Sequence, residues 1–528
     1  MGTGYAGTVT QSEDFGCTDF LMQAGTFTGV FTKTLTCSGN FTKTGGTITT
    51  NVLVLKMTGE SKTVTNAVAL RSLQASANIS VVGSSTRSYL IVDSGKTLDI
   101  PSGSFVFSYG GSNGITNNGV ISGSGTFQIE VLTSFSQALG VIQCPLLING
   151  HASMADNRII TLSGNLASTN TLTISSASAT YTLTLATSTY TLTCGALTLG
   201  DRGCLSQTGT AGNVTCTSYT QSGTGSVLTG KVDATFTCSG NATQTAGTII
   251  AEKCKWVFSG NGSTISLVAT AHNTIQFGAN VYWNGASGGA VNIVVDVDKT
   301  VTINSGKNLV WYQYYSNPSI SNNGFIDSIG TGQFWYLSST SHNLVNVGKI
   351  KNIYFIRANV AGSNCIITAT YVLNACGSVK VESGHATYTC TLDLAGYSFS
   401  CASLIVGTRG ILLGGEGSTS LNGGAFDSSA GTFTKETSSV VLNGNSTLKT
   451  NGTDEFHNLI TTGVRTLASN ITVGHYYVHA RDEVLAGFTL SLTDATLEKN
   501  AWEIHPVVNP VVNPVMTGTN YCLRYIGR

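Results

Sequence analysis

The sequence predicts an all-β chain wound as an elongated parallel β-solenoid, with tandem β-sandwiches as the alternative architecture. Three observations carry that prediction. The first is an internal copy: residues 179–203, ATYTLTLATSTYTLTCGALTLGDRG, return at 386–410 as ATYTCTLDLAGYSFSCASLIVGTRG, with 12 of the 25 positions identical. Where identity fails, apolar still faces apolar, as Leu192 does Phe399 and Leu199 does Val406. The second is a period of two, in which Thr or Ser alternates with an apolar residue, as in Tyr181-Thr-Leu-Thr-Leu and Tyr190-Thr-Leu-Thr-Cys. Such runs turn one row of side chains inward and a Thr row outward. The third is punctuation by Gly and Asn, which breaks the runs roughly every 6–12 residues.

The solenoid is preferred because this texture runs without a linker from Gly7 to about Leu490. Sandwich domains would need a fresh core about every 100 residues. Only 6 prolines occur, so ladder hydrogen bonds are seldom interrupted. With roughly 20–25 residues per coil and rungs ~4.8 Å apart, the expectation is a rod on the order of 100 Å long.

The units follow in order. Residues 1–215 form a first copy, 216–425 a second, 426–490 a truncated third, and 491–528 a Pro/Val-rich arm. TCSGN at 36–40 recurs at 237–241, and a weaker echo is LNGNST at 442–447. Asp93 with Lys96 matches Asp296 with Lys299, and Asn117-Asn118-Gly119 matches Asn322-Asn323-Gly324.

Composition narrows the function. Lys+Arg and Asp+Glu balance at 26 each, and only 10% of residues are charged, so the basic stripe that nucleic acid requires is missing. No run reaches the roughly 20 apolar residues of a membrane helix, so no membrane insertion is expected. The start at Met1 lacks the basic and apolar regions of a secretory leader. The expectation is either a leader omitted from this sequence or release by lysis, as for virion proteins.

The 13 cysteines include no CxxC. Cys194/Cys204, Cys365/Cys376 and Cys390/Cys401 lie one strand-turn-strand apart, which suits disulfides. The alternative is small apolar filler between coils, favoured by Cys390 standing where the first copy has Leu183.

Aromatics differ between the copies. The first has Phe105, Phe107 and Tyr109; the second has Trp311, Tyr312, Tyr314 and Tyr315, then Phe334, Trp335 and Tyr336. This added cluster suits stacking on sugar rings, or equally packing and subunit contact. Clustered carboxylates could cut polysaccharide. The candidates Asp93, Asp99, Asp296, Asp298, Asp454 and Glu455 are partly duplicated, and duplication favours structure over catalysis. His475 and His479, with Asp482 and Glu483, resemble a metal set, but on a strand the two imidazoles stand roughly 13 Å apart. Neither a metal nor a cofactor is expected. Eight N-x-S/T sequons occur, about the number such a Ser/Thr-rich chain gives by chance.

In the arm, Pro506, Pro510 and Pro514 recur every fourth residue between Val pairs, and Tyr521, Leu523, Tyr525 and Ile526 follow. Such a segment is extended. It serves either as a stiff tail or as an assembly arm laid on a neighbouring subunit.

Residues 431–434 (GTFT), 438–444 (SSVVLNG), 456–459 (FHNL) and 467–474 (LASNITVG) resemble the repeating unit of β-strand-repeat surface proteins of prokaryotes and their viruses. KTLDIPSG at 96–103 and NNGVISGSGTF at 117–127 are similar to another such unit. The resemblance implies a structural, adhesive or receptor-binding role outside the cell. The expected function is therefore a non-enzymatic, self-assembling component of a virion fibre or spike. The alternatives are a cell-surface filament, sheath, S-layer or adhesin protein, and a polysaccharide-binding or -cleaving tailspike. The expected partners are further copies of the chain and a glycan or host-surface receptor.

Overall fold

The computed structural model describes residues 6–30, 32–49, 53–66, 70–83, 85–109, 114–209, 212–231, 233–250, 254–267, 271–312, 318–344, 347–359, 362–479, 483–484, 490–492, 502–503 and 524–525. Among these all regular secondary structure is strand, in about 20 turns of stacked parallel strands, so the chain is a β-solenoid. It divides into two compact units, Met1–Asn273 and Thr274–Arg528. The sequence repeat starts its second copy near residue 216, so the repeat and the compact unit have different boundaries.

In the first unit each coil contributes strands to three faces. Thr126–Val131, Leu146–Gly150 and Leu172–Ser176 stack on one face, Phe135–Gln137, Arg158–Leu162 and Leu183–Ala186 on a second, and Gly140–Ile142 and Leu166–Ser168 on a third. Leu192–Leu199 turns a corner at Gly195, so its first half continues the third face and its second half the first. Leu146, Leu172, Leu197, Tyr219 and Ala242 form one inward column, which sets the coil at 22–26 residues. All five are essentially inaccessible to solvent. Burying a large apolar side chain is worth about 1.5–3 kcal/mol, so repetition of such columns supplies the cohesion between coils. Farther along, Phe236 stacks on Trp256 at 4.4 Å, with Tyr219 edge-on to both rings.

The second unit repeats the plan. Gln333–Ser338, Ile353–Arg357, Ser378–Ser383 and Ser403–Val406 build one face; Cys365–Thr368, Cys390–Asp393 and Gly410–Leu413 build another. Leu373–Asn374, Phe399–Cys401 and Ser418–Asn422 begin the third.

The corners use a polar device. Where the chain bends, the backbone N–H at the start of a strand loses its ladder partner and needs another acceptor. The side chain of an Asn one coil earlier supplies it: Asn40 accepts from Thr63 at 3.0 Å, Asn78 from Thr97 at 2.8 Å, Asn241 from Thr264 at 2.9 Å and Asn364 from Thr389 at 3.0 Å. In the TCSGN motif, Cys37 and Cys238 turn inward while Asn40 and Asn241 make this clamp. The duplicated Asn-Asn-Gly is equally structural. Asn117 donates to the carbonyls of Leu139 and Val141, and Asn322 to those of Val347 and Lys349, all at 2.9–3.0 Å. A Cβ on Gly119 would meet the Lys96 carbonyl at 2.2 Å, and one on Gly324 the Lys299 carbonyl at 2.1 Å, so only glycine fits.

Candidate functional site

The two units share their inward columns and differ in what they add to them. The difference is concentrated on two sides of the same strands in the second unit. On the outward side, Val310, Trp335, Tyr354, Lys380 and Ile405 form one column, and Tyr312, Leu337, Ile356 and Glu382 its neighbour. Trp335 stands edge-on to Tyr354 at 5.3 Å, and its indole N–H donates to Gln333 Oε1 at 3.1 Å. The Lys380 ammonium lies 4.7 Å from the Tyr354 ring centre and pairs with Glu382. Burial, followed by the Glu382 charge, holds the Tyr354 phenol well above its ordinary range. The matching outward positions of the first unit are Gln128, Leu147, Thr173 and Thr198, beside Ser108, Glu130, Asn149 and Ser175. A polar, Thr-rich surface has been exchanged for an aromatic and aliphatic one.

On the inward side the exchange runs the other way. Arg357 is fully buried, where the first unit has Gly150. Its Nε donates to the Ser363 carbonyl at 2.9 Å and its Nη1 to the Ala358 carbonyl at 2.6 Å, with the Tyr388 ring centre 4.7 Å from the guanidinium. Beside it His342 bonds the Thr340 carbonyl through Nδ1 at 2.8 Å and the Tyr336 hydroxyl through Nε2 at 2.8 Å. Burial pushes the His342 imidazole below its ordinary pKa, with the Thr340 bond opposing. Cys365 donates to the same Thr340 carbonyl at 3.2 Å and stands in register with Cys390. The Cys390 thiol, Ser338 and the Arg357 charge hold the Cys365 thiol low against the opposing effect of burial. The first unit has Phe135, Arg158 and Leu183 at the positions of His342, Cys365 and Cys390.

The residues expected to form one aromatic cluster are split by the pleat. Trp311 points inward, is fully buried and donates to the Val291 carbonyl at 2.7 Å, so it is a core residue and offers no face to a sugar. Tyr336, packed edge-on against it at 4.7 Å, is equally enclosed. Trp335 and Tyr312 are outward and half-buried, while Tyr314 and Tyr315 lie outside the described residues. An odd/even assignment of the strand would have separated these groups from sequence alone.

The cysteines follow the coil period rather than the turn spacing. Cys194 and Cys204 sit on different faces, with Cys204 flanked in register by Thr184 and Val227; Cys401 is flanked by Leu421, and Cys376 is exposed. The expected Cys194/Cys204, Cys365/Cys376 and Cys390/Cys401 bridges are therefore not the pairs placed together, and all twelve described cysteines are free thiols. A spacing of 10–11 residues covers half a coil, so it carries a side chain to another face.

Asp93 accepts from Gln74 at 3.2 Å and from Ser76 at 2.6 Å, and its copy Asp296 accepts from Gln276 at 2.9 Å. Asp99 is bonded by Ser80 at 3.2 Å, Asp454 by Ser428 at 2.5 Å, and Glu455 pairs with Lys435 at 2.7 Å; Asp298 adopts a positive φ of 57° in a turn. His475 stacks on His457 of the preceding coil, with ring centres 4.5 Å apart. His475 and His479 do share one strand, Ile471–His479, and Asp482 lies outside the described residues. Among the described residues no three His, Cys, Asp or Glu side chains are placed to hold a metal. Pro506, Pro510, Pro514 and Tyr521 lie outside the described residues, and Tyr525 belongs to a short strand paired antiparallel with Trp502–Glu503. No described helix is long and apolar enough to cross a membrane.

No family model, curated protein or solved structure matches this chain.

Proposed function

We propose that this chain is a non-enzymatic, self-assembling structural protein of an exterior surface, in first place a component of a virion fibre or spike. A cell-surface filament, sheath or adhesin protein is the alternative. The observation that carries this reading is how the duplicated polar residues are used. Asp93 and Asp296, Asn117 and Asn322, and Asn40 and Asn241 are all engaged in bonds between coils. The chain's repeated chemistry is thus spent on holding coils together. Its neutral, sparsely charged composition suits persistence at a surface more than binding to nucleic acid.

A second reading adds adhesion. Trp335 and Tyr312 project from a sheet face flanked by Gln333, Lys380 and Glu382. This combination of ring faces with hydrogen-bonding edges suits a glycan. Electron microscopy of purified native material, with particle mass measured in parallel, tests the first reading. Filaments, sheets or defined oligomers are expected, and a monodisperse monomer at every concentration would sink it. A glycan array separates the second, which requires binding that Trp335→Gln abolishes.

A further inference from the structure

Three pairs of cysteines stand one coil apart and in register: Cys17 with Cys37, Cys216 with Cys238, and Cys365 with Cys390. Cys194 extends the middle pair into a column of three. Adjacent strands lie about 4.8 Å apart, inside the ~4.4–6.8 Å between Cα atoms that a disulfide spans. Joining them therefore requires side-chain rotation and no displacement of a coil. Among the other described cysteines, Cys204 faces Thr184 and Val227, Cys401 faces Leu421, and Cys254 donates to Gln207 at 3.1 Å.

We propose that these three pairs are sites of disulfide formation, which staple consecutive coils of the solenoid when the chain is in an oxidising exterior. The proposal rests on the exterior location argued above. In each pair two S–H bonds break and one S–S bond forms. Two protons and two electrons pass to a disulfide oxidant, which leaves as two thiols. Cys216 can bond only one of its two neighbours in register, and Cys238 is the one that most perturbs its thiol, so Cys194 stays free. Each bridge closes a loop of about one coil.

The test uses the full chain, reduced and freed of reductant, so that the oxidant is supplied and the pairing is judged apart from the location. One sample is incubated folded with diamide, whose N=N bond accepts the two electrons and two protons. A second is diluted from urea into a glutathione redox buffer. Both are then unfolded in iodoacetamide, digested and mapped by mass spectrometry. The expected result is cross-linked peptides for Cys17–Cys37, Cys216–Cys238 and Cys365–Cys390. Cys376→Ser should leave all three in place, which distinguishes the third from a bridge through Cys376. Six alkylated thiols after both treatments, or bridges between cysteines out of register, would overturn the proposal. Bridges formed here but missing from native material would instead count against the exterior location.

Discussion

Residues 127–150 and 334–357 are the same piece of solenoid written twice, and they differ in a patterned way. Inward apolar positions keep their character: Phe127 and Phe334, Leu146 and Ile353, Ile148 and Phe355 are all buried in their columns. The outward positions change from Gln128, Glu130 and Asn149 to Trp335, Leu337 and Ile356. At the corner, Val131 and Gly150 become Ser338 and Arg357. Coil stacking demands apolar columns and clamped corners, and both copies meet that demand. It does not demand an outward indole or a buried guanidinium. Those are additions that folding alone leaves unexplained, and they mark the second unit as the specialised one.

The largest expected effect comes from removing the buried cation. Arg357→Ala leaves the Ser363 and Ala358 carbonyls without their donors and opens a cavity, at a cost of about 3 kcal/mol. Hydrogen exchange read by mass spectrometry should show lost protection in Ile353–Arg357 and Ser378–Ser383, and none in Leu146–Gly150. Equal loss in the first unit would mean that the two units do not open separately.

The next pair of changes should be indistinguishable. Asn117→Ala and Asn322→Ala each delete two hydrogen bonds to the next coil, so each should cost about 1–2 kcal/mol. Urea unfolding of each variant checks this, and a large inequality would show that one copy of the motif has acquired a separate task.

A smaller effect depends on pH. His342 occupies the position of Phe135, and its folded-state pKa lies below that of the unfolded chain, because burial disfavours the charged form. Above about pH 6.5 neither state is protonated at this residue and the full stability is present. As pH falls through that value the unfolded chain takes up a proton that the folded chain resists, so stability declines until the folded pKa is reached. His342→Phe, the residue of the first unit, should flatten this part of the stability profile of the second unit between pH 7 and 5. An unchanged profile would place the acid sensitivity elsewhere.

Much of the fold was legible because its causes are local and repeated. Alternation in Tyr181–Leu185 and the 207-residue copy specify parallel coils of about the observed length. The carboxylates Asp93 and Asp296 accept from Gln74 and Gln276 of the preceding coil, the same bond in each copy. The site was less legible. Neighbouring residues on a strand look alike in sequence yet face opposite sides, so Trp311 and Trp335 could be sorted only by strand parity. Cysteine contacts depend on the coil length to the residue, which varies from 17 to 27 and places Cys365 against Cys390 rather than Cys376. Arg357 carried no signal of its own, because one charged residue at the end of an apolar strand reads as a surface turn.

The smallest effect on stability, and the sharpest on function, belongs to Trp335→Gln, which restores the residue of the first unit. Trp335 is half-buried and its indole is bonded only to the side chain of Gln333 among the contacts described, so the exchange should change stability by about 0.5–1 kcal/mol. Its edge contact with Tyr354 contributes part of that amount. If the outward face is the binding surface, glycan affinity or assembly should fall at least tenfold, a loss of about 1.4 kcal/mol in binding. The reciprocal change, Gln128→Trp, should leave binding unaltered, because a lone indole on the threonine face has no Tyr354, Lys380 or Glu382 beside it. Loss of stability without loss of binding would reduce Trp335 to a cover for the sheet, and the two units would then differ in packing rather than in task.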